Sequence, residues 1–173
     1  MSKTRLTVSE DTKEIRGILT AVERIIIPDC VTSIGDCAFF DCSSLTNIAI
    51  PNSVTSIGYY AFEGCSSLKE IIIPNSVTSI GSYAFFKCSS LESVTIGNSV
   101  TRIGCCAFAD CEALTSIAIP NSVTSIGYNT FMGCYSLKSI YIDKEKDSLD
   151  LSNVYIPTTA KVYWNSEFTE VKE

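Results

Sequence analysis

Apolar residues recur along this chain at a fixed interval of 23 positions. Columns of valine, phenylalanine, cysteine and leucine begin at Val31, Phe39, Cys42 and Leu45 and return in each of the next four copies. A further column consists of Ile27, Ile50, Ile73, Ile96, Ile119 and Ile142. Five copies between residues 27 and 141 share at least seven positions without an insertion or a deletion. The chain is therefore a tandem repeat, and each period is one structural unit.

The pattern within one unit predicts a strand, a turn and a short return segment. Leu45-x-x-Ile48-x-Ile50 alternates at its end, which is typical of a short strand with one buried face. The following Pro-Asn-Ser has turn chemistry, and the rest of the unit has room for little more than one helical turn. One such coil cannot bury its apolar face alone, but stacked coils can. Stacking would place equivalent strands side by side in a parallel sheet, about 4.8 Å apart.

The string from residue 50 to residue 68, IPNSVTSIGYYAFEGCSSL, resembles the BspA-like (treponemal-type) leucine-rich repeat family. The resemblance covers residues 22–142. It implies an α/β repeat solenoid, a right-handed superhelix with a parallel β-sheet on its concave face and short 3₁₀ or irregular segments on its convex face. Relatives in this family are largely cell-surface proteins of bacteria and some protozoan parasites, implicated in adhesion to host proteins and other cells. The family supplies no catalytic residues.

The repeat divides the chain into three parts. Residues 1–26 are expected to form an N-terminal cap and the first strand, residues 27–142 five repeats and the start of a sixth, and residues 143–173 a C-terminal capping segment. Polar outer caps are what a solenoid needs to stay soluble.

The two ends predict different kinds of cap. Ile15, Ile18 and Leu19 recur at helical spacing, so the N-terminal cap is either a short helix or a decayed repeat. At the other end, Val162 and Trp164 follow the last isoleucine pair by 22 residues, which predicts one last, slightly short coil.

Composition and charge exclude several classes of function. The net charge is −6, which disfavours a phosphate-binding surface for nucleic acid. No apolar run approaches the roughly 20 residues of a membrane span, so no membrane insertion is expected. The N-terminal residues lack the apolar stretch of a signal peptide. The compartment is therefore open, although the family resemblance suggests a secreted or cell-surface protein.

The inventory of reactive residues gives no support for an enzyme. The chain has no histidine, which excludes a histidine triad, and it has no glycine-rich phosphate loop or GxSxG motif. Five of the nine cysteines belong to the repeated column and are expected to be reduced, inert core side chains. The other four are expected to supply the reactivity of the native protein; they are Cys30, Cys37, Cys105 and Cys106. No cofactor and no metal site are expected, since no CxxC motif occurs.

Two surfaces are candidates for binding. The outward positions of the predicted concave sheet are Asn47, Ala49, Glu70, Ile72, Ser93, Thr95, Ser116, Ala118, Ser139 and Tyr141. Most of these side chains are small, and Ile72 and Tyr141 are the sizeable anchors. The second candidate is a convex aromatic patch comprising Tyr59, Tyr60, Tyr83, Phe86 and Tyr128.

These features together predict a non-catalytic protein-binding or adhesion module that presents a rigid, repetitive surface as a monomer. The resemblance implies a protein partner, such as a host extracellular-matrix or cell-surface protein. The alternative is a structural spacer or assembly element without a specific ligand. A large exposed aromatic patch would favour binding, whereas uniformly small polar faces would favour the spacer.

Overall fold

A computed structural model describes residues 5–7, 14–15, 22–146 and 148–165. These residues contain short β-strands joined by turns, and no α-helix. The strands are β1 (Arg5–Thr7), β2 (Glu14–Ile15), β3 (Arg24–Ile26), β4 (Ser33–Ile34), β5 (Asn47–Ala49), β6 (Ser56–Ile57), β7 (Glu70–Ile73), β8 (Ser79–Ile80), β9 (Ser93–Ile96), β10 (Arg102–Ile103), β11 (Ser116–Ile119), β12 (Ser125–Ile126), β13 (Ser139–Ile142) and β14 (Lys161–Trp164).

The longer strands form the expected parallel sheet, called the main sheet below. Its hydrogen-bonded groups are β1-β3-β5, β7-β9 and β11-β13-β14, which follow one another along the solenoid. The strand pairings within these groups are parallel, and Ile71 lies opposite Val94, 23 residues further on. The period found in the sequence is therefore the length of one coil, and the repeated residues lie beside their equivalents.

A second parallel sheet, which the sequence pattern did not predict, runs along another side of the coils. Its order is β12-β10-β8-β6-β4-β2, and each strand has only two residues. The strands β4, β6, β8, β10 and β12 each end on a buried isoleucine, which a glycine follows. A Cβ atom on Gly81 would lie 2.5 Å from the carbonyl carbon of Gly58, so glycine allows neighbouring coils to approach this closely. The glycine column thus fixes the stacking distance beside the second sheet.

The return segments, which were expected to be short 3₁₀ or irregular segments, consist of hydrogen-bonded turns. In the first full coil, the N–H of Phe40 donates to the carbonyl oxygen of Cys37 within the same turn. The neighbouring N–H of Phe39 instead donates to the carbonyl oxygen of Ala61 in the next coil, across 2.7 Å. Successive backbone N–H groups therefore donate alternately to a carbonyl oxygen in their own turn and to one in the following coil. This alternation satisfies the backbone of the return segment without forming a helix.

Two positions of each return segment have left-handed backbone. The first has φ between 53° and 58° at Cys37, Tyr60, Tyr83, Cys106 and Asn129. The second has φ between 53° and 73° at Asp41, Gly64, Lys87, Asp110 and Gly133. Left-handed residues reverse the chain direction locally, which is how a short segment of this kind can return to the next strand.

The core lies between the two sheets and the return segments. The phenylalanine column stacks along the solenoid: the rings of Phe62 and Phe85 are 5.1 Å apart and almost parallel, at an interplanar angle of 3°. The leucine and cysteine columns are fully buried beside them. Contacts between equivalent side chains in adjacent coils therefore hold the repeat together.

The ends of the chain continue the coil pattern. At the N-terminus, Ile15 lies in β2, which pairs with β4 in parallel at an offset of 19 residues. This strand favours a decayed repeat over a helix at Ile15; Ile18 and Leu19 lie outside the described residues. At the C-terminus, Val162 lies opposite Ile140 and Trp164 opposite Ile142, so the expected closing strand is present. The proposed division of the chain into caps and repeats and the right-handed twist stay predictions.

Candidate functional site

The outward face of the main sheet carries the ten residues selected from the sequence. Side chains alternate along each strand, so β7, β9 and β11 show an exposed-buried-exposed-buried pattern. Nine of the ten side chains are exposed, and Ser139 is half-buried. The alternation follows from the period of two in a strand, which places every second residue on the solvent side. The structure thus brings these residues together on one face.

Ile72 is the prominent apolar residue of this face. Its side chain is 64% exposed, which is unusual for an isoleucine in the middle of a sheet. It borders a shallow hollow of about 260 Å³ that Asn47, Ala49 and Glu70 also line. An exposed isoleucine beside a carboxylate and an amide is a suitable contact for an amphipathic protein surface.

A second hollow of about 190 Å³ lies at the C-terminal end of the same face. Tyr141 and Ala118, both selected from the sequence, line it together with Asn98 and Asp143, which were not selected. The ring of Tyr141 stacks on that of Tyr163 in β14, with centroids 5.2 Å apart. The sequence did mark Asn98, which belongs to the asparagine that recurs in the turn after each strand and was explained by turn formation, with a ligand-binding asparagine ladder as the alternative. Asp143 follows the last repeated strand, and no motif marked it.

The convex aromatic patch is largely one cluster that packs on itself. Tyr60 and Tyr83 stack at 4.8 Å, and Tyr59 and Phe86 meet Tyr83 edge-on at 5.6 Å and 5.5 Å. Tyr59 is the most exposed of the four, at 41%. Tyr128 is 61% exposed and has no ring contact with the cluster. Four rings of the patch therefore join adjacent coils, and the patch offers solvent mainly the rings of Tyr128 and Tyr59.

Electrostatics in this cluster do not create a reactive group. A hydrogen bond with Tyr59, together with burial, raises the pKa of Tyr60 to about 12, so the Tyr60 phenol stays protonated at neutral pH. The Nζ of Lys87 lies 4.9 Å from the ring centroid of Phe86, a cation–π distance. Burial raises the pKa of Glu63, and the nearby Lys87 opposes that effect. Nothing next to these groups could act as an activated nucleophile.

The cysteines separate into buried and exposed sets. Burial raises the pKa of Cys134 to about 12 and also raises the pKa values of Cys88 and Cys111. For Cys65, a hydrogen bond with Cys42 is the largest cause of a raised pKa. Thiols of this kind are poor nucleophiles, as expected for the repeated column.

The four other cysteines behave differently from one another. Cys37 and Cys105 are exposed and Cys30 is half-buried, as the sequence suggested. Cys106 is only 6% exposed, so the expectation that it would react in the native protein was wrong. Cys37 has almost the same backbone φ at the equivalent position and is exposed, so the backbone conformation alone does not explain the burial of Cys106. None of the nine cysteines forms a disulfide, and the described residues include no group of three or more side chains arranged to hold a metal ion.

Three exposed residues were missed by the sequence analysis. Tyr135 is 74% exposed, Tyr155 47% and Met132 38%, and all lie in the last full coil or the closing segment. A signal was available for Tyr135, because serine stands at this position in three of the other four copies and tyrosine is the largest residue found there. Within the described ranges, no helix is both long and apolar enough to cross a membrane.

Comparison with known families gives a specific match. The family model of the BspA-type leucine-rich repeat region matches the chain in two overlapping stretches, residues 19–138 and residues 86–172, with six copies of the repeat. No curated protein shows significant similarity to the chain.

Several solved bacterial structures share the fold. A leucine-rich repeat protein of T. pallidum is 28% identical, with a TM-score of 0.72 over 83% of this chain and 69% of its own. The pneumococcal vaccine antigen PcpA is 25% identical, with a TM-score of 0.58 over 96% of this chain and 37% of its own. A leucine-rich cell-surface protein of Faecalibacterium prausnitzii is 22% identical, with a TM-score of 0.57 over 95% of this chain and 61% of its own, and this likeness concerns the fold alone.

Proposed function

Because the chain belongs to the BspA-type leucine-rich repeat family, we propose that it is a non-catalytic protein-binding module. The observation that carries the proposal is the regular exposed face of the main sheet, with Ile72 projecting from it at 64% exposure. A parallel sheet buried on one face and stacked coil on coil is rigid, so binding would cost little conformational entropy. The proposed partner is a protein at a host cell surface or in the extracellular matrix, and the proposed location is the cell surface.

The main-sheet face is the better candidate of the two surfaces. Four of the five convex aromatic rings already pack on one another, so a partner would gain little apolar area from those four. Ile72 lacks such cover and could enter a pocket on a partner. Apolar anchors near the centre of an interface commonly carry a large share of the binding free energy.

The small residues of the same face favour a second candidate, a structural spacer. Ala49, Ser93, Thr95, Ser116 and Ala118 offer few anchors, and hot spots favour larger side chains. A spacer needs rigidity but no ligand. The two candidates differ in whether the isolated chain binds any protein saturably.

Surface plasmon resonance against a panel of purified host extracellular-matrix proteins tests the proposal. We expect saturable binding to at least one of them, weakened at least tenfold by Ile72→Asp, because a charge would have to lose water at an apolar contact. Tyr128→Ser is the matched control: it removes an equally exposed apolar side chain from another surface and should leave binding unchanged. Circular dichroism confirms that each variant is folded. Absence of binding to the whole panel, or equal losses in both variants, would contradict the proposal and favour the spacer.

A further inference from the structure

The hollow beside Tyr141 has the form of a small-molecule site. Its volume is about 190 Å³, below the usual range for drug-sized ligands and suited to a single ring. Three neighbouring coils line it. Ala118 and Pro120 belong to the coil of β11, Tyr141 and Asp143 to the coil of β13 on one side, and Asn98 to the coil of β9 on the other. The hollow thus combines an apolar surface, an aromatic ring and two polar side chains.

The register of the main sheet explains why the ring has room on one side. Tyr141 lies directly opposite Tyr163 in β14 and opposite Ala118 in β11. The ring of Tyr163 covers one face of the Tyr141 ring, at 5.2 Å and an interplanar angle of 19°. On the other side, Ala118 has only a methyl group, and Tyr141 and Ala118 both line the hollow. Stacking on Tyr163 also fixes the orientation of Tyr141, so the side of the ring that borders the hollow is already in position.

The polar groups beside this ring suit hydroxyl groups. Asp143 offers carboxylate oxygens that accept hydrogen bonds, and the Asn98 amide both donates and accepts. A carboxylate makes stronger hydrogen bonds with hydroxyl donors than a neutral acceptor does. Two such side chains beside one aromatic face match a molecule that carries hydroxyls at its rim and C–H groups on a flat face.

We propose that this hollow binds one pyranose ring of a neutral glycan. The axial C–H groups of the sugar would pack on the face of the Tyr141 ring that borders the hollow, because the face of an aromatic ring carries negative π-electron density. Its ring hydroxyls would donate to Asp143 and exchange hydrogen bonds with Asn98. This site goes beyond the proposed protein-binding function, because it uses a different ligand class and does not involve Ile72.

Charge selects among sugars. Asp143 carries a negative charge in the hollow, and the chain has a net charge of −6. A sugar with its own carboxylate would be repelled by Asp143 at short range, because like charges repel most strongly when close together. The site therefore favours neutral hexoses over uronic acids.

Saturation-transfer NMR on the full chain tests the proposal with four probes: the methyl glycosides of β-D-galactose, β-D-glucose and α-D-mannose, and methyl β-D-glucuronide. We expect at least one neutral glycoside to receive saturation, strongest at the C–H protons of one ring face. Ligand efficiencies of about 0.3 kcal/mol per heavy atom give a dissociation constant near 1 mM for a single ring. The glucuronide should bind at least fivefold more weakly than that glycoside.

The variants test each part of the site. Ala118→Leu fills the space over the ring and should weaken binding at least tenfold, whereas Thr95→Leu places the same side chain at the equivalent position of the neighbouring strand β9, outside the lining of the hollow, and should have no effect. Tyr141→Phe should bind like the parent, and Tyr141→Ala should lose the saturation signal. Asp143→Asn should weaken neutral binding and reduce the discrimination against the glucuronide.

Three results would overturn the proposal: no saturation of any neutral probe, equal effects of Ala118→Leu and Thr95→Leu, or a glucuronide that binds as well as the neutral sugars. Ile72→Asp separates this proposal from the protein-binding one, since it should leave sugar binding unchanged. Melting curves show whether each variant is folded under the conditions of the NMR measurement.

Discussion

The thiol of Cys88 donates a hydrogen bond to the backbone carbonyl oxygen of Phe62 in the preceding coil, across 3.2 Å. The same oxygen accepts the N–H of Cys65 from its own coil, also at 3.2 Å. The bond from thiol to phenylalanine carbonyl recurs three more times along the column, at 3.0 to 3.2 Å. The cysteine column is therefore more than a set of small core side chains, because it also satisfies carbonyl groups between coils.

This arrangement predicts which thiols react. In the native protein, iodoacetamide should modify Cys37 and Cys105 fastest and Cys30 more slowly, whereas the column should react only after unfolding. The denatured protein should take up nine labels without prior reduction. Peptide mass spectrometry gives both counts. Rapid native labelling of Cys88, or fewer than nine labels after denaturation, would contradict the reduced, buried column.

The raised thiol pKa values predict a loss of stability at alkaline pH. Unfolded cysteine ionises near pH 8.5, whereas the folded pKa of Cys134 is about 12. Between these values the unfolded state has released a proton that the folded state retains, so the free energy of unfolding falls as the pH rises. Below about pH 8 the contribution is fully present. Each such thiol changes the free energy of unfolding by at most about 1.4 kcal/mol per pH unit.

Urea unfolding of the parent and of Cys111→Ala between pH 7 and pH 10.5 measures this effect. The variant has one fewer buried thiol, so its stability should fall less steeply above pH 9 and the difference between the two proteins should shrink. Parallel curves over the whole range would mean that Cys111 ionises equally in both states, contrary to its burial.

The period of the sequence was enough to predict the main sheet and its register. Columns of identical residues leave only one way to stack the coils, so Ile140 and Ile142 could be matched in advance with Val162 and Trp164. The buried and exposed sides followed from the same alternation. These features depend on many residues that agree with one another.

The second sheet and the left-handed positions could not be predicted in the same way. A strand of two residues, such as Ser56–Ile57, is too short to show any alternation. Tyr60 and Tyr83 adopt positive φ although tyrosine gives no signal for it, because stacking and backbone hydrogen bonds override local preference. The hollow beside Tyr141 depends on which residues neighbouring coils place together, and no single repeat contains that information.

At the second left-handed position, we expect removal of a glycine to cost more stability than introduction of one. Gly64→Ala should lower the free energy of unfolding by about 1–3 kcal/mol, because φ is +72° and the new Cβ would collide with Oδ1 of Asp41. Lys87→Gly relieves the same backbone strain in the next coil, at the cost of unfolded-state entropy and the contact with Phe86. It should therefore stay within about 1 kcal/mol of the parent. Chemical denaturation measures both, and a larger loss in Lys87→Gly than in Gly64→Ala would contradict the assigned backbone.

The closing strand predicts the behaviour of a truncated chain. Deleting residues 143–173 removes β14 and exposes the edge of β13 together with buried Ile140 and Ile142. An unpaired strand edge above apolar side chains promotes association, so the truncated protein should form oligomers or precipitate. Light scattering measures this, and a chain that ends at residue 165 and retains β14 is the control. A monomeric, stable product of the larger deletion would show that the segment is no cap.

The central claim is that each 23-residue period forms one stackable coil, and removing one whole period tests it most directly. Deleting residues 73–95 joins Ile72 to Ile96, which then takes the position of Ile73. The shortened chain should unfold cooperatively, and small-angle X-ray scattering should show a particle shorter by about 4.8 Å, one strand spacing. An unfolded or aggregated product, or a length equal to that of the parent, would contradict the account.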